Sequence, residues 1–447
     1  VYENRYEWPK RWKICSENDA HALFTCCAGL ARATGKALYG LLATQLLHAV
    51  LARQGDDGGY HHGTWTNELE SHYRLHASAM HMMMDALDER DDSTIRTALD
   101  RAMAYAAAQT DQTAFGKWFL HDELEHSAAG MERGPFKWIP SRALGKSPTN
   151  MLVLNTHLDT LVAALRHADV TGSERYRTLN ESARGSALAI LGCRPAESLY
   201  RIVFWLVGLT CLSTPKAASL PLPLRALKRV AWQYIIPRLP ALKTRLPRLV
   251  MPGGYVDRAL SLKNWSHRYL STNAMDLARI ARRLPGDVMF RDVLKEALHY
   301  AIDSGLAEKW REQPADQYSI GFLAEALCHA CTLDGAYEWR QLLATQLFAL
   351  HDLGLGFPPT ALGCNPEIVP WAQHAPCPLP AEDAIRVASL AGPQGREVLV
   401  LNTGSSPAVM TWLNPQPGAM QWRDADGIEQ HPDAPLPPRA WRLGAAA

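Results

Sequence analysis

The strongest constraint in the sequence is a repeated punctuation. A stretch of helical length and helical apolar spacing meets a glycine or short polar turn, and a second such stretch follows. "NMLVLNTHLDTLVAALRHADVTG" (150–172) runs straight into "SERYRTLNESARGSALAILG" (173–192). Gly172 and Gly192 stand where a helix end favours a residue without Cβ. The same pattern predicts helices over 35–53, 66–89 and 91–109, then over 271–285, 287–305, 319–335 and 336–354. Thr66 or Asn67 is the expected cap of the 66–89 helix. The pairs share little sequence identity, which argues against a short solenoid repeat. Polar and aromatic stretches recur near the helix starts: "DDGGYHHGTW", "FGKWFLHDELEH", "GGYVDRALSLKNWSHRY" and "REQPADQYSIGF". The expected fold is therefore mainly α. Paired helices with polar loops at one end suggest an (α/α) toroid, in which the inner helices' loops line a cleft. A large helical bundle or superhelix is the alternative.

Past Gly354 the texture changes. Residues 355–380 are rich in proline and read as an extended linker. "IRVASLAG", "REVLVLNTG", "AVMTWLN", "MQWRDADG" and "RAWRLGA" follow, short and bounded by Gly, Pro and Asn. They predict a small C-terminal antiparallel β module over 381–447, one that packs on the helical body or stands beside it. The helical part then spans 1–354 and is the expected catalytic domain.

Within it, 198–252 reads as a basic, apolar insertion. From Ser198 to Val256 there is no Asp or Glu, while nine cations run from Arg201 to Arg248. Trp and aliphatic residues lie among them, the composition of an element that rests on an anionic membrane surface. A buried helix followed by a basic surface loop would read the same way. No run reaches the roughly 18–20 apolar residues of a membrane span. The formal net charge of +1 names no partner. Nine cysteines without regular spacing favour reduced thiols and a cytoplasmic setting, peripheral at the membrane if the basic segment docks there. The chain begins at Val1 without a secretory leader, which processing would also explain. The CxxC of Cys328 and Cys331 falls inside a predicted helix, has no second CxxC, and reads as buried thiols.

Four clusters carry residues suited to chemistry. The first is 56–76, where Tyr60, His61 and Trp65 precede Glu68, His72 and His76 at i, i+4 and i+8 of the predicted helix. HxxxH can hold zinc, but the glutamate of the metalloprotease version is missing, so a hydrogen-bonded helix face is the plainer reading. The second, "WFLHDELEH", offers His121 and Glu123 as acid/base groups or a solvated helix start. The third sets Asn155, His157 and Asp159 in an apolar run, where they form either a satisfied network or the floor of a site. The fourth, 253–279, carries Tyr255, Asp257, Arg258, Trp265, His267, Arg268, Tyr269, Asn273 and Asp276. Aromatics beside arginines suit a sugar ring that bears a carboxylate. A well-capped helix start with surface charges explains them equally. No phosphate loop, GxGxxG, GxSxG elbow or zinc-finger spacing occurs, so no cofactor, metal or nucleic-acid partner is expected.

The 150–191 pair resembles the helical pair in the C-terminal domain of D-glucuronyl C5-epimerases, and "NWSHRYLSTNAMDLARI" (264–280) resembles that family's Trp/Tyr/His segment. Thr156 stands where the family has Gly, and β structure follows the helices here instead of preceding them. The latter order is similar to that of heparinase-type polysaccharide lyases. The resemblance implies a toroid acting on an acidic, uronate-containing polysaccharide, as a C5-epimerase ahead of a lyase. It implies Tyr255, Tyr269 and His267 for proton transfer at C5 and Arg258 or Arg268 for the carboxylate. Tyr60, His61, Trp65 and Glu68 would line the opposite side of the cleft. His121, Glu123, Asn155, His157, Trp265 and Asn273 complete the expected binding residues. Two other functions stay open. One is glycoside hydrolysis through two of Glu68, Glu70, Asp122, Glu123, Glu125 and Asp257. The other is a non-catalytic glycan-binding or membrane-associated assembly role.

Overall fold

The computed structural model describes residues 2–3, 12–13, 17–63, 65–66, 70–135, 138–258, 260, 267–371, 377–413 and 420–446. The protein is mainly helical, with a small antiparallel sheet near its C-terminal end. Strands β1 (Tyr2–Glu3) and β2 (Trp12–Lys13) pair antiparallel ahead of the helices. The first helical hairpin is α1 (Glu17–Thr34) with α2 (Ala37–Leu51), and the second is α3 (Tyr73–Glu89) with α4 (Ser93–Ala108). Asp92 fixes the second turn by accepting from the backbone N–H of Thr94 at 2.9 Å and of Ile95 at 3.3 Å. A β-hairpin, β3 (Thr110–Thr113) and β4 (Gly116–Phe119), and a short α5 (Ala128–Arg133) follow. The third hairpin is α6 (Leu154–Thr171) with α7 (Arg177–Gly192), and Gly172 closes α6 in the left-handed region at φ 68°.

The basic segment folds as α8 (Glu197–Cys211), α9 (Thr214–Ala218), α10 (Leu222–Val230) and α11 (Leu239–Arg245). Then α12 (Tyr269–Arg283) pairs with α13 (Val288–Asp303), and after α14 (Leu306–Glu312), α15 (Tyr318–Leu333) pairs with α16 (Tyr337–Asp352). Among the described residues no helix is long and apolar enough to cross a membrane.

One helix of each hairpin joins a common layer. α1, α3, α6, α12 and α15 pack side by side in that order, and α2, α4, α7, α13 and α16 lie against their respective partners. The turn at 359–361 packs against both α1 and α15. In its described part the segment read as an extended linker is thus packed structure. Trp371 within it donates its indole N–H to the Asp85 carbonyl at 3.0 Å and its backbone N–H to Asp88 at 2.7 Å. Gly29 of α1 meets the Cys364 side chain so closely that a Cβ there would collide with it.

Three local readings change. The helix expected from Thr66 begins at Tyr73, so His72 and His76 do not share a helix face with Glu68, which lies outside the described residues. The reason is Glu70. Its carboxylate accepts from the backbone N–H groups of Trp65 and Thr66, and from the Thr66 hydroxyl at 2.6 Å, which occupies the groups at the expected helix start. His72, extended, bridges to Asp122. The expected helix start at "WFLHDELEH" is instead the end of β4 and a 3-10 turn over Glu123–His126, closed by an Asp122/Glu125 capping box. α1 has no counterpart in the sequence reading.

The C-terminal sheet runs β5 (Ile385–Gly392), β6 (Gly395–Asn402), β7 (Met420–Asp424), β8 (Glu429–Gln430) and β9 (Trp441–Ala446), ordered β5-β6-β9-β7-β8 and antiparallel throughout. Its strand alternation splits two cores. Ala388, Leu390, Leu399 and Leu401 join the helical core, while Ile385, Val387, Val398 and Val400 build a separate cluster on the other face. Buried Arg340 of α16 holds Glu397 of β6 through two 2.9 Å bonds. "AVMTWLN" forms no strand in its described part, only bridges at Ala408 and Trp412.

Candidate functional site

All five helices of the common layer contribute side chains to one open cavity of about 360 Å³. Its lining comes from Asn18, His21 and Thr25 of α1, Arg74, Ser78 and His81 of α3, Asp159 of α6, Met275 and Arg279 of α12, and Tyr318, Phe322, Glu325 and His329 of α15. Thr360, Asn365 and Glu367 of the 355–380 segment complete it. In α1, α3, α6 and α12 these residues lie in the first three turns, and α15 contributes from its first residue onward.

A buried charge network forms one wall. Arg279 meets Asp159, Asp276 at 3.3 Å and Glu367 at 2.8 Å, and it lies 2.8 Å from His81 Nε2, whose N–H donates to Asp159 at 3.0 Å. Arg74 holds Asp276 at 2.6 Å and the Asn155 carbonyl at 3.0 Å. Arg166 holds Asp85 at 2.7 Å and donates to His81 Nδ1 at 3.0 Å, and Asp85 also meets His21 at 2.7 Å. Burial pushes His81 down to about 4, with Arg279 adding to the effect, so its imidazole is neutral at pH 7. Burial alone would raise Glu367 and Asp159. Arg279 instead holds both far below the usual carboxylate range, with Arg166 helping at Glu367 and Arg74 at Asp159. Asp276, which shares both arginines with Asp159, is pushed up by burial and by the charge of Asp159. These groups are mutually satisfied. The exception is Glu325: its Oε1 takes the Thr360 hydroxyl, while its Oε2 has no hydrogen-bond partner among the described residues.

Above the cavity, where the helices of the layer begin, the sequence-predicted loops meet. Trp65 lies 5.9 Å from the His72 ring, and His72 lies 4.4 Å from the His121 ring. His121 contacts the Thr156 hydroxyl at 2.6 Å and accepts from Arg258 at 2.9 Å. The Arg258 guanidinium lies 4.5 Å from the centroid of the Tyr269 ring. Burial, with His72 and Arg258 beside it, keeps His121 neutral, so it positions Arg258 from below. Arg268 is exposed and pairs with buried Asp316 at 3.0 Å. Burial pushes the Tyr318 phenol up to about 12, with Tyr269 adding to this and Arg268 opposing it.

Other expected residues are elsewhere. Tyr255 is fully buried between Phe204 and Tyr300, in the core behind the site, and cannot touch a substrate there. His157 is also fully buried. It stacks on Trp118 at 3.8 Å, accepts from the Phe119 N–H at 3.0 Å and bonds the Ala183 carbonyl at 3.1 Å, so it is a satisfied structural histidine. His267 lies 3.6 Å from Asp316, and burial pushes it down to about 3, too weak a base for efficient proton transfer near neutrality. Tyr60 is buried against His76, while His61 bonds Asp57 at 3.2 Å and Ser71 at 2.9 Å. Asn155 and Asn273 are buried at the helix starts, and Asn273 donates to the Val256 carbonyl at 3.4 Å. Trp265 lies outside the described residues.

The carboxylates proposed for hydrolysis are mostly committed to structure. Glu70 and Asp122 hold turns, and Asp257 pairs with buried Lys243. Glu125 accepts from the backbone N–H groups of His121, Asp122 and Met151, and burial pushes it up to about 7. Glu123 is half exposed and accepts from the Ser71 N–H at 2.9 Å. Cys328 and Cys331 are free and buried, and burial pushes both thiols up, Cys331 to about 12. Among the described residues no group of three or more His, Cys, Asp or Glu could hold a metal ion.

Sequence reasoning missed most of the wall itself: His21, Arg74, His81, Arg166, Arg279, Glu325 and Glu367. The available signal was charge placed on the apolar stripes of amphipathic helices, as in Asp276 and Arg279. The chain matches no protein-family model and no curated protein sequence.

Proposed function

We propose that the five hairpins form an (α/α) toroid and that the protein is a carbohydrate-active enzyme, removing the C5 proton of uronates in an acidic polysaccharide in the manner of a C5-epimerase. One observation carries this reading: five helices contribute side chains to one cavity, and near the start of two of them the Arg258 guanidinium lies 4.5 Å from the Tyr269 ring while His121, which Arg258 meets, contacts Thr156 of α6. Helix N-termini carry partial positive charge and favour an anion at the mouth. Arg258 adds a full charge to receive the substrate carboxylate, while Arg268 is shared with Asp316. Inside, Glu325 Oε2, Asn18 and Asn365 offer polar atoms to sugar hydroxyls.

In this reading Tyr269, acting in its phenolate form, takes the C5 proton and becomes the phenol, and Arg258 neutralises the enolate-like charge that gathers on the carboxylate. Reprotonation from the opposite face completes epimerisation, whereas loss of the 4-linked sugar would make the reaction a lyase elimination. The resemblance of 150–191 and 264–280 to D-glucuronyl C5-epimerases supports the same substrate class.

The test is proton NMR of the full chain with a panel of uronate polysaccharides in D₂O. Deuterium at C5 in intact chains is expected, and Tyr269→Phe should slow its incorporation by roughly 10²-fold or more. New 4,5-unsaturated signals would replace the epimerase with a lyase at the same residues. New reducing ends without unsaturation, or silence across the panel, would overturn the proposal.

A further inference from the structure

The middle of the basic segment lies open to solvent. α9 and α10 have no buried residue. α8, α10 and the turn that continues it (Ala231–Ile235) pack against one another, so their outer faces form one ridge. That ridge exposes Ile202 and Trp205 of α8, Leu222 and Val230 of α10, and Trp232 and Tyr234 of the following turn, with Leu222 at 74% exposure and Trp232 at 61%. Around them stand the exposed cations Arg225, Arg229, Arg238 and Arg245, none with a carboxylate partner among the described residues. Arg238 bonds only the Tyr234 carbonyl, at 3.0 Å, and faces that ring. Arg201 and Lys216 at the edge are paired, with Glu197 and Glu308.

We infer that this ridge docks the protein onto an anionic lipid bilayer, the aromatic and aliphatic side chains entering the interface and the arginines meeting lipid phosphates. Charge complementarity selects the occupant. A protein partner would have to bring a carboxylate to each of four arginines spread around the apolar side chains, whereas an anionic bilayer presents phosphates all along the ridge. A soluble polyanion would use the cations but would leave Ile202, Leu222 and Val230 in water. A bilayer interface takes both at once, with Trp and Tyr at the headgroup level. The interior of the same segment explains why it stays in place: Lys243 is paired with Asp257, and Arg248 with Glu197, so two of its nine cations anchor it to the body.

The experiment is co-sedimentation of the full chain with vesicles of phosphatidylcholine alone or with 40% phosphatidylglycerol, at low and high salt. Binding to the anionic vesicles that weakens with salt is expected. Each arginine near such a surface contributes about 1 kcal/mol, or about fivefold, so Arg225→Gln with Arg229→Gln should weaken binding by about 25-fold. Leu222→Ser with Trp232→Ser should weaken it too, with the melting temperature unchanged in both variants. Equal binding to neutral and anionic vesicles would overturn the inference. So would vesicle binding that ignores the Leu222/Trp232 change, which is the signature of a polyanion site, or a wild-type dimer that this change dissociates.

Discussion

Two regions of the molecule use arginine in opposite ways. In the cavity wall, Arg74, Arg166 and Arg279 are buried or nearly so, and carboxylate oxygens meet them at 2.6, 2.7 and 2.8 Å. On the ridge, Arg225, Arg229 and Arg245 are exposed, with no carboxylate partner among the described residues. Taking a guanidinium out of water costs several kcal/mol, and only close counter-charges and hydrogen bonds offset that. The wall is therefore a closed account, in which each charge fixes a neighbour and little attraction is left for a ligand. The ridge keeps its hydration, and its attraction remains available to an external anion. The same residue type thus sets geometry in one place and affinity in the other.

The sharpest way to break this contrast is Arg279→Ala. It leaves Asp159 and Glu367 buried without their main partner and should destabilise the fold by about 3–5 kcal/mol, read by chemical denaturation. A loss below about 1 kcal/mol would mean that water already reaches the wall. A smaller effect follows from pH. His81 titrates near 4 when folded and near 6.5 when unfolded, so the unfolded chain binds more protons between those values. Its contribution to stability is complete above pH 6.5 and is lost as pH falls toward 4. Wild type should therefore lose melting temperature faster than His81→Asn over that window, and parallel curves would refute the neutral assignment. The smallest effect belongs to the ridge. Arg225→Gln and Arg229→Gln should each change stability by less than about 0.5 kcal/mol, and a larger change would reveal an ion pair that holds the fold.

Much of the helical layout was legible. The helix end at Gly172 and the breaks close after Arg283 and Asp352 follow from local chemistry that one turn of chain contains. The loops that meet at the rim were also visible, because polar and aromatic residues cluster there against an apolar background. The sequence misled where a distant partner decided the outcome. Glu70 ends the expected helix start by taking the Trp65 and Thr66 backbone N–H groups that a helix would have left to water. His157 looks like a site residue until Trp118 and two backbone groups from other elements satisfy it. Tyr255 looks like a rim residue until the core closes over it.

What the sequence determined by itself is local: helix periods, turns, caps, the alternation of the last strands and the acid-free run from 198 to 256. Each depends on residues a few positions apart, where the backbone geometry is nearly the same in any fold. The tertiary structure alone decided which arginines are buried and which are free, and it brought Glu367 from an apparent linker to Arg279 of α12, 88 residues away. Burial and pairing are properties of the surroundings of a side chain, and those surroundings are assembled from segments the chain brings together only on folding.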